Sequence, residues 1–143
     1  IVAPEGLQFL VENATQLGWG GFTHKFDKRS PGLMFTSWYS NSIRPKLWKV
    51  LYLDHCIFFK REMLTRAIPD IPIFEDTELS YILRENDRPE ILPFLSETSS
   101  IRFEKNGFLK QGLLNQKLKL EYFLGRSRKK MNDHYEKDLH LNG

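Results

Sequence analysis

With 143 residues, 41% hydrophobic and 13% aromatic, the chain has enough apolar material for one core and too much for a disordered segment. A charged fraction of 27% and a mean hydropathy of −0.44 argue against an integral membrane protein, and no apolar run approaches the roughly 20 residues a spanning helix needs. The net charge of +3 is uneven: residues 101–143 carry ten Lys/Arg and five Asp/Glu, which leaves residues 1–100 at −2. The single cysteine, Cys56, excludes an internal disulfide framework and a cysteine-rich zinc site, and suits a reducing compartment. No signal peptide is visible, and the start at Ile1-Val2-Ala3-Pro4 predicts a cut or processed N-terminus.

After Pro4-Glu5-Gly6, the spacing of Leu7, Leu10, Val11, Ala14 and Leu17 predicts an amphipathic helix of about three turns, ending near Gly18. Gly20-Gly21 leads into Phe22, His24 and Phe26, which alternate with polar residues as in a half-buried strand. Ser30-Pro31 reads as an N-cap followed by proline at the first helical position, opening a helix with Met34, Phe35, Trp38 and Tyr39 that Arg44-Pro45 breaks. Ile57-Phe58-Phe59 predicts a buried strand, and Lys60 to Ala67 a short helix closed by the Ile68-Pro69-Asp70-Ile71-Pro72 loop. A helix is expected over 76–86, short strands over 90–94 and 99–103, and a long helix from Asn106-Gly107 to Gly125. This order of elements predicts an α/β or α+β fold.

Three segments could carry chemistry. In Ile71-Pro72-Ile73-Phe74-Glu75-Asp76-Thr77-Glu78, a proline-rich loop delivers adjacent carboxylates to a helix N-terminus, where one can face a cleft and accept a proton from a substrate hydroxyl. The alternative is a helix cap with favourable dipole charges. Asp54-His55-Cys56 stands just ahead of an apolar strand, a position where ligand contacts concentrate, although a lone histidine there is commonly a hydrogen-bonded structural residue. Cys56 reads as a small buried hydrophobe. Arg102, among the hydroxyls of Ser99-Ser100, either clamps a phosphate or pairs with a carboxylate. No phosphate-cradling glycine loop, His-Glu-x-x-His or Gly-x-Ser-x-Gly is present.

In register, these stations resemble the family 2 glycosyltransferases of GT-A, Rossmann-like fold, in particular a bacterial subgroup. Gly20 to Asp27 is similar to that subgroup's strand ending in Phe-Asp. Residues 54–61 are similar to its Gly-Asp-Gln-Gly-Leu-Phe-Val-Arg-Arg segment, Ile71 to Leu79 to its Pro-rich loop with Glu-Asp, and Thr98 to Phe103 to its Thr-Ser-Ala-Arg-Arg-Trp segment. His55 and Cys56 replace Gln and Gly, Ile101 the first of two arginines, and Phe103 the Trp.

The resemblance implies inverting transfer of a sugar from a nucleotide-diphospho-sugar donor to an acceptor hydroxyl. Asp76 would be the general base and Glu75 would orient it or touch the acceptor. Asp54 and His55 would line the cleft near the sugar or diphosphate, and Arg102 would position the diphosphate. A divalent cation, Mg or Mn, is implied for the full-length enzyme, but the motif that would bind it belongs with the nucleotide-binding half, upstream of a helix start that Ile1 to Leu7 resembles. Residues 1–125 are therefore expected to be the acceptor-side portion of such a domain, inactive alone, with 126–143 a basic tail.

A cytoplasmic enzyme, peripheral at the inner membrane face, is expected, without nucleic acid as a partner. It would be a homo-oligomer through core surface left exposed. The alternative is a basic module without catalysis, in which helix 107–125 with Lys105, Lys110, Lys117, Lys119 and the Arg126-Ser127-Arg128-Lys129-Lys130 cluster docks on an anionic membrane or on RNA.

Overall fold

In a computed structural model of the chain, residues 1–125, 127, 129–131 and 133 are described. They form a mixed α/β structure of two compact units, one made of Ile1–Pro69 and Asp76–Ser99, the other of Asp70–Glu75 and the described residues from Ser100 onward.

The first unit is built on a three-stranded sheet in the order β2-β1-β3, with β1 Trp19–Phe26, β2 Phe58–Phe59 and β3 Glu90–Thr98. β1 runs antiparallel to β2 and parallel to β3. Because strand side chains alternate between faces, Trp19 and Phe22 point to opposite sides and each anchors a core. Trp19 is buried with Leu51, Met63, Leu79 and Leu83, and its indole N–H donates to the Asp87 carbonyl (2.9 Å). Phe22 packs with Leu17 and Leu92, against Phe9, Leu10, Phe58 and Phe94.

Helix α1, Pro4–Glu12, meets this second core through Gly6, where a Cβ would lie 2.7 Å from the Phe94 Cβ and 2.9 Å from the Phe22 ring. It is shorter than expected because Asn13 caps it, Nδ2 donating to the Phe9 carbonyl (2.8 Å). Leu7 and Val11 are exposed, so the apolar stripe read from the sequence is only partly the buried face.

Helix α2, Pro31–Trp38, starts as predicted, with Ser30 Oγ accepting from the Leu33 N–H (3.3 Å). Arg44-Pro45 does not break the helical path. A π-helical segment, Tyr39–Ile43, carries the backbone into α3, Arg44–Leu47, where Pro45 sits in the first turn and needs no donor.

Three other expectations are corrected. Lys60 to Ala67 forms only a 3-10 turn, Arg61–Met63, because the Met63 carbonyl accepts from Asn86 Nδ2 (3.2 Å) and Met63 is drawn into the Trp19 core. β3 continues through Thr98, with a register shift between Leu92 and Leu95 that accommodates Pro93, a residue unable to donate to the ladder. Ser99 to Phe103 is not a strand: Ser100 precedes helix α5, Ile101–Asn106, and its carbonyl accepts from the Phe103 and Glu104 N–H groups.

Helix α4, Glu75–Leu83, follows the proline loop as expected. In the second unit, α6, Phe108–Phe123, buries Leu118 and Gln111. Its Leu109, Leu113, Leu120 and Phe123 are exposed. No helix among the described residues is long and apolar enough to cross a membrane. Arg126 and Arg128 of the basic cluster lie outside the described residues.

Candidate active site

The Asp54 segment and the Glu-Asp motif are joined by one face of α4. Ser80 Oγ donates to the Leu51 carbonyl and accepts from the Leu51 N–H, both at 3.0 Å. One helical turn earlier on the same face, Asp76 Oδ2 accepts from the Leu53 N–H (3.1 Å), while Oδ1 accepts from the Thr77 N–H (2.7 Å). These contacts hold residues 51–53 along α4 and fix the plane of the Asp76 carboxylate.

Leu53 opens a 3-10 turn, Leu53–His55, on which Asp54 is exposed. The turn lies close against β1: a Cβ on Gly21 would come within 2.7 Å of the His55 Cβ, so only glycine admits this approach. Ser96 Oγ fastens the other side, donating to the Asp54 carbonyl (2.7 Å). The turn ends on Cys56 in the left-handed region (φ 47°, ψ 69°), a conformation that disfavours residues with a Cβ. Cys56 is exposed, not the buried hydrophobe expected, with its Sγ 3.4 Å from Ser96 Oγ.

His55 does not line a cleft. Its side chain is 0% exposed, and both ring nitrogens are engaged within the protein. Nδ1 is 2.9 Å from the Phe22 carbonyl, which can only accept, so Nδ1 carries the proton. Nε2 therefore accepts from the Ser40 hydroxyl (3.1 Å), whose oxygen accepts from Arg44 Nη1 (2.8 Å). Burial pushes the His55 pKa down to about 4, against the opposing effect of the Phe22 hydrogen bond, so the ring is neutral at pH 7. Its role is to position the 53–55 turn.

Arg44, itself buried, lies over the Tyr52 ring at 3.9 Å and beside Tyr39 at 5.6 Å. Burial pushes the Tyr52 phenol above its usual pKa, the Arg44 charge opposing, so the ring stays neutral beside the guanidinium. Next to this group His24 is 2% exposed, its ring centroid 5.8 Å from that of His55, and both its ring nitrogens are buried with no hydrogen-bond partner among the described residues. Its pKa falls to about 4 through burial, then through the Arg44 charge.

The first unit thus brings together Asp54, His55 and Asp76, whereas Glu75, the first residue of α4, and Arg102, in the first turn of α5, belong to the second. Sequence reasoning missed Ser40, Arg44 and Tyr52. The available signal was the four-residue spacing of Ser40 and Arg44, which on a helix brings their side chains together.

Among the described residues no group of three or more His, Cys, Asp or Glu side chains is placed to hold a metal ion. The described residues therefore supply no ligand set for the divalent cation that the resemblance implies.

No protein-family model matches the chain, and neither a curated protein nor a solved structure matches it.

Proposed function

We propose that the chain supplies the acceptor-side residues of an inverting family 2 glycosyltransferase of GT-A fold, with Asp76 as the general base. Asp76 takes the proton of an acceptor hydroxyl as that oxygen attacks the anomeric carbon. The bond from that carbon to the diphosphate breaks on the opposite face, and the nucleoside diphosphate leaves with the electron pair, inverting the centre. The Leu53 and Thr77 N–H groups orient the carboxylate that takes the proton. Asp54, exposed on the neighbouring turn, is assigned to the sugar or diphosphate side. The roles of Glu75 and Arg102, orienting the acceptor and positioning the diphosphate, rest on the resemblance alone.

The observation that carries this reading is the left-handed Cys56. It stands where the family's Asp-Gln-Gly has glycine, the residue that such a backbone favours. That turn and the Glu-Asp motif, far apart in sequence, meet through the Leu53–Asp76 hydrogen bond. The test is sugar transfer from nucleotide-diphospho-sugars by the full-length gene product. Asp76→Asn, which keeps one carbonyl oxygen as an acceptor, should lower turnover by about 100-fold or more while donor binding persists. Wild-type turnover in that variant would refute the assignment.

A second reading, a basic surface module, is favoured by α6. Exposed Leu109, Leu113, Leu120 and Phe123 follow one another at steps of four, seven and three residues, which keeps them on one side of the helix, with Lys110, Lys117 and Lys119 on the same helix. Charge reversal at those lysines should abolish salt-sensitive binding to anionic vesicles if this helix is the contact.

A further inference from the structure

Between Asp27 and Asp54 lie 26 residues without a carboxylate, carrying Lys28, Arg29, Arg44, Lys46 and Lys49. This acid-free stretch builds α2, the π-helical segment and α3, and its helices bury few side chains. On α2 only Leu33 is buried, while Met34, Phe35 and Trp38, which share one helical face, are 61%, 61% and 53% exposed. The aromatic surface continues: Phe35 is 5.7 Å from Trp38 and 6.5 Å from Tyr39, and Tyr39 is 6.4 Å from Trp48, centroid to centroid. Leu47 and Trp48 at the end of α3 are also exposed. Lys28 and Arg29 precede α2 in the chain, Lys46 lies on α3 and Lys49 just after it; Lys28, Arg29 and Lys46 are exposed. Arg84 donates to the Trp48 carbonyl (3.0 Å), and the adjacent Glu85 is paired with Arg66 (2.8 Å), which offsets its charge.

We propose that this face is a docking surface for an anionic lipid bilayer, with the Phe35, Trp38 and Trp48 rings entering the headgroup region and the flanking cations meeting lipid phosphates. Tryptophan and tyrosine favour the boundary between headgroups and acyl chains, where an apolar ring body and a polar edge are both accommodated. An apolar face bordered by Lys and Arg binds such a surface by burial and charge together. Exposed Met34 and Leu47 beside the rings suit acyl chains better than stacked bases. The rings also pack against one another, leaving no separated slots for successive nucleotides. The proposal is independent of the glycosyltransferase reading and assigns a surface other than α6.

The test uses the full chain and vesicles of phosphatidylcholine with or without phosphatidylglycerol, the phosphatidylcholine carrying brominated acyl chains. Trp19, 0% exposed, is an internal reference that lipid does not reach. With phosphatidylglycerol present, emission from Trp38 and Trp48 should shift to the blue and be quenched, and the effect should weaken as salt rises. Combined Phe35→Ser and Trp38→Ser, both at exposed positions and checked for folding by circular dichroism, should weaken partitioning at least tenfold. Lys46→Gln should weaken it about fivefold. Leu113→Ser with Leu120→Ser on α6 should leave the quenching of Trp38 in place.

Unquenched tryptophan emission, undiminished binding by the Phe35/Trp38 variant, or loss of binding only through the α6 changes would overturn the proposal. So would concentration-dependent dimerisation that protects Trp38 in the absence of lipid, or binding to single-stranded RNA while vesicles are ignored.

Discussion

The side chain of Asn41 pairs with the backbone of His24 as a neighbouring strand would: Oδ1 accepts from the His24 N–H and Nδ2 donates to the His24 carbonyl, both at 2.8 Å. β2 pairs only with the start of β1, through Trp19 and Gly20, so it does not reach this part of the strand. A residue of the π-helical segment satisfies the backbone there instead. Asn41→Leu removes both bonds and should destabilise the fold by about 2–3 kcal/mol, measured by chemical denaturation. Stability equal to wild type would mean that water replaces Asn41 without loss.

Acid should weaken the fold through two histidines. His24 and His55 titrate near 4 when folded, below the ordinary value of 6.5, so between those pH values the unfolded chain binds more protons. Their contribution is complete above about pH 6.5 and is lost as the pH falls toward 4, on the order of 3 kcal/mol for each. His24→Phe removes two buried nitrogens that have no partner among the described residues, and should raise stability at pH 5 more than at pH 8. Equal gains at both pH values would show that His24 does not titrate in this range.

Asp76 has two separable tasks, to pin Leu53 and to accept a proton. Asp76→Asn retains one carbonyl oxygen, for the Leu53 or the Thr77 N–H but not for both, and should cost about 1 kcal/mol of stability while transfer falls by about 100-fold or more. Asp76→Ala loses both, and should cost about 1–3 kcal/mol of stability in addition. If both variants fold like wild type and both retain transfer, neither task belongs to this carboxylate.

The left-handed backbone at Cys56 makes opposite predictions for two small changes. Cys56→Gly should stabilise by about 0.5–1 kcal/mol, relieving the Cβ conflict at some cost in unfolded-chain entropy, and Cys56→Val should destabilise by about 1–2 kcal/mol. Thermal unfolding of the two variants in the same buffer gives both signs.

Local signals were legible wherever local physics decides. The alternation Phe22-His24-Phe26, the Ser30-Pro31 cap and the leucine spacing of α6 each announce their element. They fail where a distant partner claims a backbone group, as Asn86 does at Met63, or where a backbone path is unusual, as between Tyr39 and Ile43. Ser100 and Glu104 mislead differently. Their four-residue spacing, with Ser100 Oγ donating to Glu104 Oε1 (2.7 Å), marks a helix start, but β-branched and aromatic neighbours give it the composition of a strand. In the candidate site, the Glu-Asp motif and the Asp54 turn were visible. The Arg44-Ser40-His55 chain was only half legible: Ser40 and Arg44 have helical spacing, but His55 reaches Ser40 through the close approach of its turn to Gly21.

The parallel pairing of β1 with β3 also sets a folding order. Thr23 and Leu92, joined by a 2.8 Å hydrogen bond, are 69 residues apart in the chain, so this ladder closes only after a long loop has been ordered. Until then the strand partner of β1 is the two-residue β2, and the aromatic helices between them form from contacts close in sequence. Slow refolding is expected to track substitutions across the β1–β3 ladder, while changes on the exposed face of α2 leave its rate unaltered.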